Sequence, residues 1–265
     1  MTLAFAATLV GLGLGGAFVA GLLGVGGAIV MIPLLLYVPP LLDVGQLSMK
    51  AVAGVTMVQV LFAATSGMIA HRRHKAVDGR LACVGGLAMA TGSLLGALAS
   101  YYVYDRVLLT VFALMVTVAG ALMIVPPEAL ASPMPVGEPR RFSRRRAGTV
   151  CGGVGLSAGL VGAGGAFLLV PLLVVVVGVP IRVTIGSSLA ITALAATAGV
   201  IGKLVTAQVP LFPTAAVVLG AVPGAQLGAL VSRRLSGAGL RRVLFLITLV
   251  SAVRVWWDLL VPGGH

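Results

Sequence analysis

The sequence predicts an all-α polytopic membrane protein made of two inverted repeats, each a broken or re-entrant helical hairpin followed by three transmembrane helices. Three observations carry that expectation. Hydrophobic residues form 59% of the 265 and charged residues 9%, where a soluble domain carries about 25% charged residues. Charge falls in gaps between apolar runs of roughly 20 residues, the length that crosses about 30 Å of hydrocarbon. Finally, the block Gly21-Leu22-Leu23-Gly24-Val25-Gly26-Gly27-Ala28, five residues before Pro33, returns as Gly159-Leu160-Val161-Gly162-Ala163-Gly164-Gly165-Ala166, five before Pro171.

The first repeat covers residues 1–126. An apolar segment from Leu3 to Val38, interrupted at Gly21–Gly27, precedes spans at Met49–Ala70, Leu81–Tyr101 and Val107–Val125. The absence of Lys or Arg before Lys50 argues against a signal peptide, so the first span is read as retained. Residues 127–146 form a basic cytoplasmic linker, rich in proline and carrying Arg140, Arg141, Arg144, Arg145 and Arg146. The second repeat, 147–265, has an interrupted segment at Ala147–Val179, then spans at Val183–Lys203, Leu211–Val231 and Val243–Leu260. Past the glycine block the copies align again after a six-residue shift, with Gly54 on Gly186, Gly67 on Gly199, Gly92 on Gly224 and Gly96 on Gly228. Such a length change falls in a loop, where it is tolerated.

Basic residues concentrate in cytoplasmic loops and so orient the chain. If each interrupted segment goes in and comes back, all of the 18 Lys and Arg except Lys50, Arg106, Lys203 and Arg254 fall inside. A single crossing separates them less well. The hairpin, whether two half-helices or two short crossings, leaves three full crossings per repeat. The repeats are then inverted, both termini lie outside, and the protein sits in the cell membrane. Inverted repeats let one site face either side in turn.

Glycine disfavours helix, and a helix broken within lipid needs its freed backbone groups buried or lining a cavity. Helices should restart near Ala28 and Ala166, where N-terminal N–H groups and a partial positive charge of roughly half a unit await an anion. Glycine at 24, 26, 27, 162, 164 and 165 lets that anion approach the backbone. Pro33 and Pro171 cannot donate to the carbonyls of Ile29 and Phe167, which are left for a cation such as Na⁺ or for hydroxyls. Polar side chains of the next span complete the expected site: Thr56 and Gln59 on one helical face in the first repeat, and Ser187, Ser188 and Thr192 in the second.

Absences narrow the function. The six acids, Asp43, Asp78, Asp105, Glu128, Glu138 and Asp258, lie near span ends or in loops, so a carboxylate proton relay is not expected. His71 and His74 are placed in a basic loop. Cys83 and Cys151 lack partners at metal-ligand spacing, and neither a metal nor a cofactor is expected. The linker arginines lack interleaved aromatics, which argues against nucleic-acid binding. Gly11-Leu12-Gly13-Leu14-Gly15-Gly16 fits GxGxxG but lies in a span, not a βαβ unit. Gly202-Lys203 lacks the first glycine of a P-loop, since Thr197 stands there. No nucleophile–base pair is visible, so the chain is read as no enzyme.

At the doubled GLxGxGGA block, at Arg182 to Gly202 and at Gly220 to Leu235, the chain resembles the TauE/SafE (TSUP, sulfite exporter) family. The likeness runs nearly end to end. It implies a permease for sulfur-containing or organic anions such as sulfite, thiosulfate or sulfonates, with Gly24, Gly26, Gly27, Gly162, Gly164 and Gly165 as substrate-site backbone. The first-repeat counterpart of Ser187-Ser188 is Val55-Thr56, a departure from a symmetric polar site. The expected function is secondary anion transport by alternating access, with export favoured; the alternative is an anion channel using the same helix dipoles. The expected partners are the anion and the bilayer, with coupling to Na⁺ and homo-oligomerisation left open.

Overall fold

The computed structural model describes residues 3–23, 27–72, 79–124, 143–179, 181–232 and 237–261. All regular structure among them is helical. The first half holds α1 (Leu3–Leu23), α2 (Ala28–Leu41), α3 (Met49–Arg72), α4 (Gly79–Ala99) and α5 (Asp105–Ile124). The second holds α6 (Arg144–Val161), α7 (Ala166–Val177), α8 (Ile181–Val205), α9 (Leu211–Ser232) and α10 (Gly237–Leu260). Among the described residues six helices, α1, α3, α4, α5, α8 and α9, are long and apolar enough to cross a membrane. The 14 residues of α2 reach only about 21 Å at 1.5 Å each, short of a full span.

Both interruptions occur where glycine clusters. α1 stops at Leu23 and α2 starts at Ala28; α6 stops at Val161 and α7 starts at Ala166. The chain then folds back. Gly16 of α1 faces Met31 and Leu34 of α2, while Ala20 touches Gly27 at the turn. The second hairpin closes the same way, with Gly165 against Ala158 and Val154 of α6. Pro171 removes one backbone donor inside α7. Beyond it, Leu173–Val177 widens into a π turn that ends at Gly178, φ +76°.

Helix pairing repeats when the halves are exchanged. A Cβ on Gly220, Gly224 or Gly228 would strike the backbone of Val10, Leu14 or Phe18 in turn, so α1 and α9 run parallel at backbone contact. Their counterparts α4 and α6 do likewise, with Gly92 on Gly152, Gly96 on Leu156, Gly155 on Met89 and Gly159 on Ser93. Small residues permit such approach in a bilayer, where packing rather than hydrophobicity drives helices together. At the centre α3 and α8 cross antiparallel, Gly54 meeting Gln208 and Gly199 meeting Met57. The outer pair α5 and α10 is also antiparallel: Arg106 Nη2 donates to the Leu259 carbonyl (3.1 Å) and Trp256 Nε1 to Thr117 Oγ1 (3.0 Å).

Two boundaries differ from expectation. α3 runs on to Arg72, so His71 belongs to a helix rather than a loop. α6 begins at Arg144, with the Ser143 side chain accepting from the Arg146 N–H, so the last three linker arginines form its first turn. A capping serine starts a helix against the charge preference of its dipole. Lys50, Arg106, Lys203 and Arg254 gather at one end, tied by bonds from Lys50 to Tyr101, Met49 to Asp105, Arg106 to Leu259 and Lys203 to Ser100.

Candidate functional site

α3 brings the two interruptions together. Gly27 takes φ +77°, a left-handed conformation that L side chains resist, and its carbonyl accepts from the N–H groups of Val30 (3.1 Å) and Met31 (3.0 Å) to start α2. A Cβ there would lie 3.4 Å from Gln59 Nε2 and would collide with Ala20. One turn earlier on α3, the Thr56 hydroxyl proton is shared between its own helix at the Val52 carbonyl (2.8 Å) and the Gly162 carbonyl of the other half (3.0 Å). Val60, one residue past Gln59, packs on Gly164. A single stretch of α3 thus touches the turn of its own hairpin and that of the opposite one.

The second turn is equally built on left-handed glycine. Gly162, Gly164 and Gly165 have φ +77°, +62° and +73°. The carbonyl of Gly165 accepts from Leu168 (3.1 Å) and Leu169 (2.8 Å), so α7 starts as α2 does. A Cβ at Gly162 would strike the Ala53 carbonyl, which couples this turn to α3 at backbone contact. Ala28 and Ala166 open their helices and both are buried. At each helix start the first N–H groups have no acceptor one turn back.

The polar side chains sort into two groups. Gln59 is fully buried, and neither its Oε1 nor its Nε2 has a hydrogen-bond partner among the described residues. Thr192 Oγ1 on α8 is in the same condition. Buried amides and hydroxyls are nearly always bonded, so such groups are the ones a polar ligand can satisfy. Ser187 and Ser188 are buried on α8, and neither is without a partner. Thr65 and Thr197 instead bond back to Leu61 (2.7 Å) and Ala193 (2.8 Å) within their own helices. Gly24 and Gly26 lie outside the described residues.

The carbonyl freed by Pro33 has a hydroxyl partner: Ser251 Oγ of α10 donates to the Ile29 oxygen at 3.3 Å. A cavity of about 400 Å³ lies away from both turns, at the end of the bundle, lined among others by Tyr37, Asp105, Arg106 and Asp258.

The family profile described as "Sulfite exporter TauE/SafE" matches residues 9–255. The chain belongs to the sulfite exporter TauE/SafE family. Two curated relatives from Xylella fastidiosa, strains Temecula1 and 9a5c, each called "Probable membrane transporter protein", are 33% identical over 259 residues, covering 94% of this chain and 95% of theirs. "Probable membrane transporter protein YunE" of Bacillus subtilis is 26% identical over 244 residues, 86% of this chain and 88% of its own. No solved structure matches. This TauE/SafE chain is therefore a multi-pass protein of a membrane transporter family.

Two residues of this TauE/SafE chain escaped the sequence reading. Ser93 of α4 is buried with Oγ unpartnered among the described residues, and a Cβ on Gly199 would sit 2.7 Å from it. Its counterpart in the duplication is Ala225, so symmetry gave no signal. Lys203, counted among residues at a span end, is fully buried. The adjacent Gly202 was the available clue, since a Cβ there would lie 2.8 Å from Ala97 Cβ on α4.

Proposed function

We propose that this chain is a secondary permease that carries small sulfur-containing or organic anions, such as sulfite, thiosulfate or sulfonates, by alternating access. The observation that carries the reading is the meeting of both glycine turns on one stretch of α3, beside the unpartnered amide of Gln59. Gly24, Gly26, Gly27, Ala28, Gly164, Gly165 and Ala166 provide backbone N–H groups for the anion, while Gly162, whose own N–H goes to the Ala158 carbonyl (2.8 Å), shapes the second turn. Gln59, Ser187, Ser188 and Thr192 provide neutral polar contacts that release it again, and Thr56, whose proton goes to the Val52 and Gly162 carbonyls, holds the second turn in place.

The two halves are inverted repeats in this reading. The parallel pairing of α1 with α9 and of α4 with α6, beside antiparallel α3–α8, supports a two-fold axis in the membrane plane. The gathering of Lys50, Arg106, Lys203 and Arg254 at one end supports placing that end outside and residues 127–146 in the cytoplasm. Export is the favoured direction. At 100 mV, inside negative, an exiting monovalent anion gains about 2.3 kcal/mol, so efflux needs no coupled ion. The Ser251 hydroxyl competes with a coupling Na⁺ for the Ile29 carbonyl.

Full burial of Thr56, Gln59 and Thr192 favours an occluded carrier over a channel. Counterflow of radiolabelled sulfite in proteoliposomes tests this. Saturable counterflow is expected, whereas large unitary currents without counterflow would make the protein a channel.

A further inference from the structure

Lys203 places its ammonium inside the bundle, in direct contact with neutral groups alone. Its Nζ donates to Ser100 Oγ (2.6 Å), Gln208 Oε1 (3.0 Å) and the Leu160 carbonyl (3.1 Å). Three protons thus meet three neutral oxygens. The one ion pair among the described residues is Arg254 with Asp258, so no described carboxylate lies within ion-pair distance of the lysine; Asp105, which attracts it, and Lys50, which repels it, act from farther away. A buried ammonium is normally paired with an acid, because desolvating a lone charge is costly.

The location gives that charge a purpose. Leu160 lies in the last turn of α6, two residues before the Gly162 turn, and Ser100 follows directly on the end of α4. α4 and α6 are parallel, so their C-terminal ends lie side by side. Each carries a partial charge of about −0.5, and together they put roughly one negative charge beside the turn. That would cancel the attraction of the helix start at Ala166 for an anion. Lys203 reaches both ends at once and offsets them.

We infer that Lys203 is a specificity-determining residue: by neutralising the joined C-terminal ends of α4 and α6, it leaves the second glycine turn electropositive and selective for anions. It acts through the helix ends without touching the substrate. The inference rests on the anion reading proposed above. Gly202 is part of the device, because the missing side chain lets α8 close on Ala97 and carry the lysine inside.

The test is the affinity of purified protein for sulfite and thiosulfate, followed by thermal shift and by counterflow. Gln208→Glu keeps the contact to Nζ but sets a carboxylate against it, which cancels the charge; Thr206 Oγ1, which accepts from the Gln208 amide, can turn its own proton to the new carboxylate. Lys203→Met removes the charge outright, and Lys203→Arg keeps it. Both Gln208→Glu and Lys203→Met are expected to weaken sulfite binding on the order of tenfold, the scale of one charge acting over about 10 Å at an effective dielectric of about 20. Lys203→Arg should stay within about threefold of the unmodified protein on the same scale. A purely structural tie predicts the opposite for Gln208→Glu: greater stability with unchanged affinity, which would overturn the role of Lys203. Should Lys203→Met not fold, Gln208→Glu alone decides. Unmodified protein that binds neither anion would overturn the anion reading itself, and the role of Lys203 with it.

Discussion

Thr56 of the first half donates its hydroxyl to the carbonyl of Gly162 in the second, at 3.0 Å, 106 residues away in sequence. This bond fastens one interrupted hairpin to the central helix of the other. Replacing Thr56 by valine keeps the shape and removes the donor. The Gly162 carbonyl is then buried without a partner, which costs about 1–3 kcal/mol. Melting of the detergent-solubilised protein should therefore fall with Thr56→Val and recover with Thr56→Ser.

Gln59 should behave in the opposite sense. Its amide is buried without a partner, so the apolar Gln59→Leu relieves a desolvation penalty of about 1–3 kcal/mol and should raise the melting temperature. The same change should abolish sulfite counterflow, because the amide beside Gly27 is lost. Gain of stability with loss of transport is the signature of a ligand group. Unchanged transport would make Gln59 a packing residue.

Backbone strain can be separated from site geometry with three glycines. Gly27, Gly165 and Gly178 all have positive φ, where an L residue costs about 1–2 kcal/mol. A Cβ at Gly27 meets Ala20, one at Gly165 meets Met89 and Val154, and one at Gly178 meets nothing within 4 Å. Gly27→Val and Gly165→Val should stop anion flux. Gly178→Ala should lower stability yet leave flux intact, as measured by counterflow at a temperature below the melting point of each variant.

The bond from Ser251 to the Ile29 carbonyl bears on coupling. With Ser251 competing for that carbonyl, sulfite flux should be equal in sodium and choline buffers. Acceleration by sodium of several-fold would mean that a cation occupies the freed carbonyls after all.

Much of the fold was legible because membrane constraints are written in composition. Runs of apolar residues marked the spans, and glycine's poor helix propensity together with the duplication located both interruptions, down to helix starts at Ala28 and Ala166. Thr56 and Gln59 stood out as polar residues in an apolar helix, and both meet the turns. The parallel contact of α1 with α9 was not legible: glycines at 13, 21, 220, 224 and 228 announce close packing without naming the partner. Ser93 was hidden because a lone serine in a span usually bonds its own helix. Lys203 was hidden for a tertiary reason. Charge counting places a lysine near a span end, and only the approach of α8 to α4 and α6 buries it.

Anomalous diffraction from crystals soaked in selenite, a heavier analogue of sulfite, locates the anion itself. A selenium peak is expected between the Gly27 and Gly162 turns, placed so that selenite oxygens accept from Gln59 Nε2 and from the backbone that opens α2. A peak confined to the cavity lined by Tyr37, Asp105 and Arg106, with none at the turns, would contradict that placement.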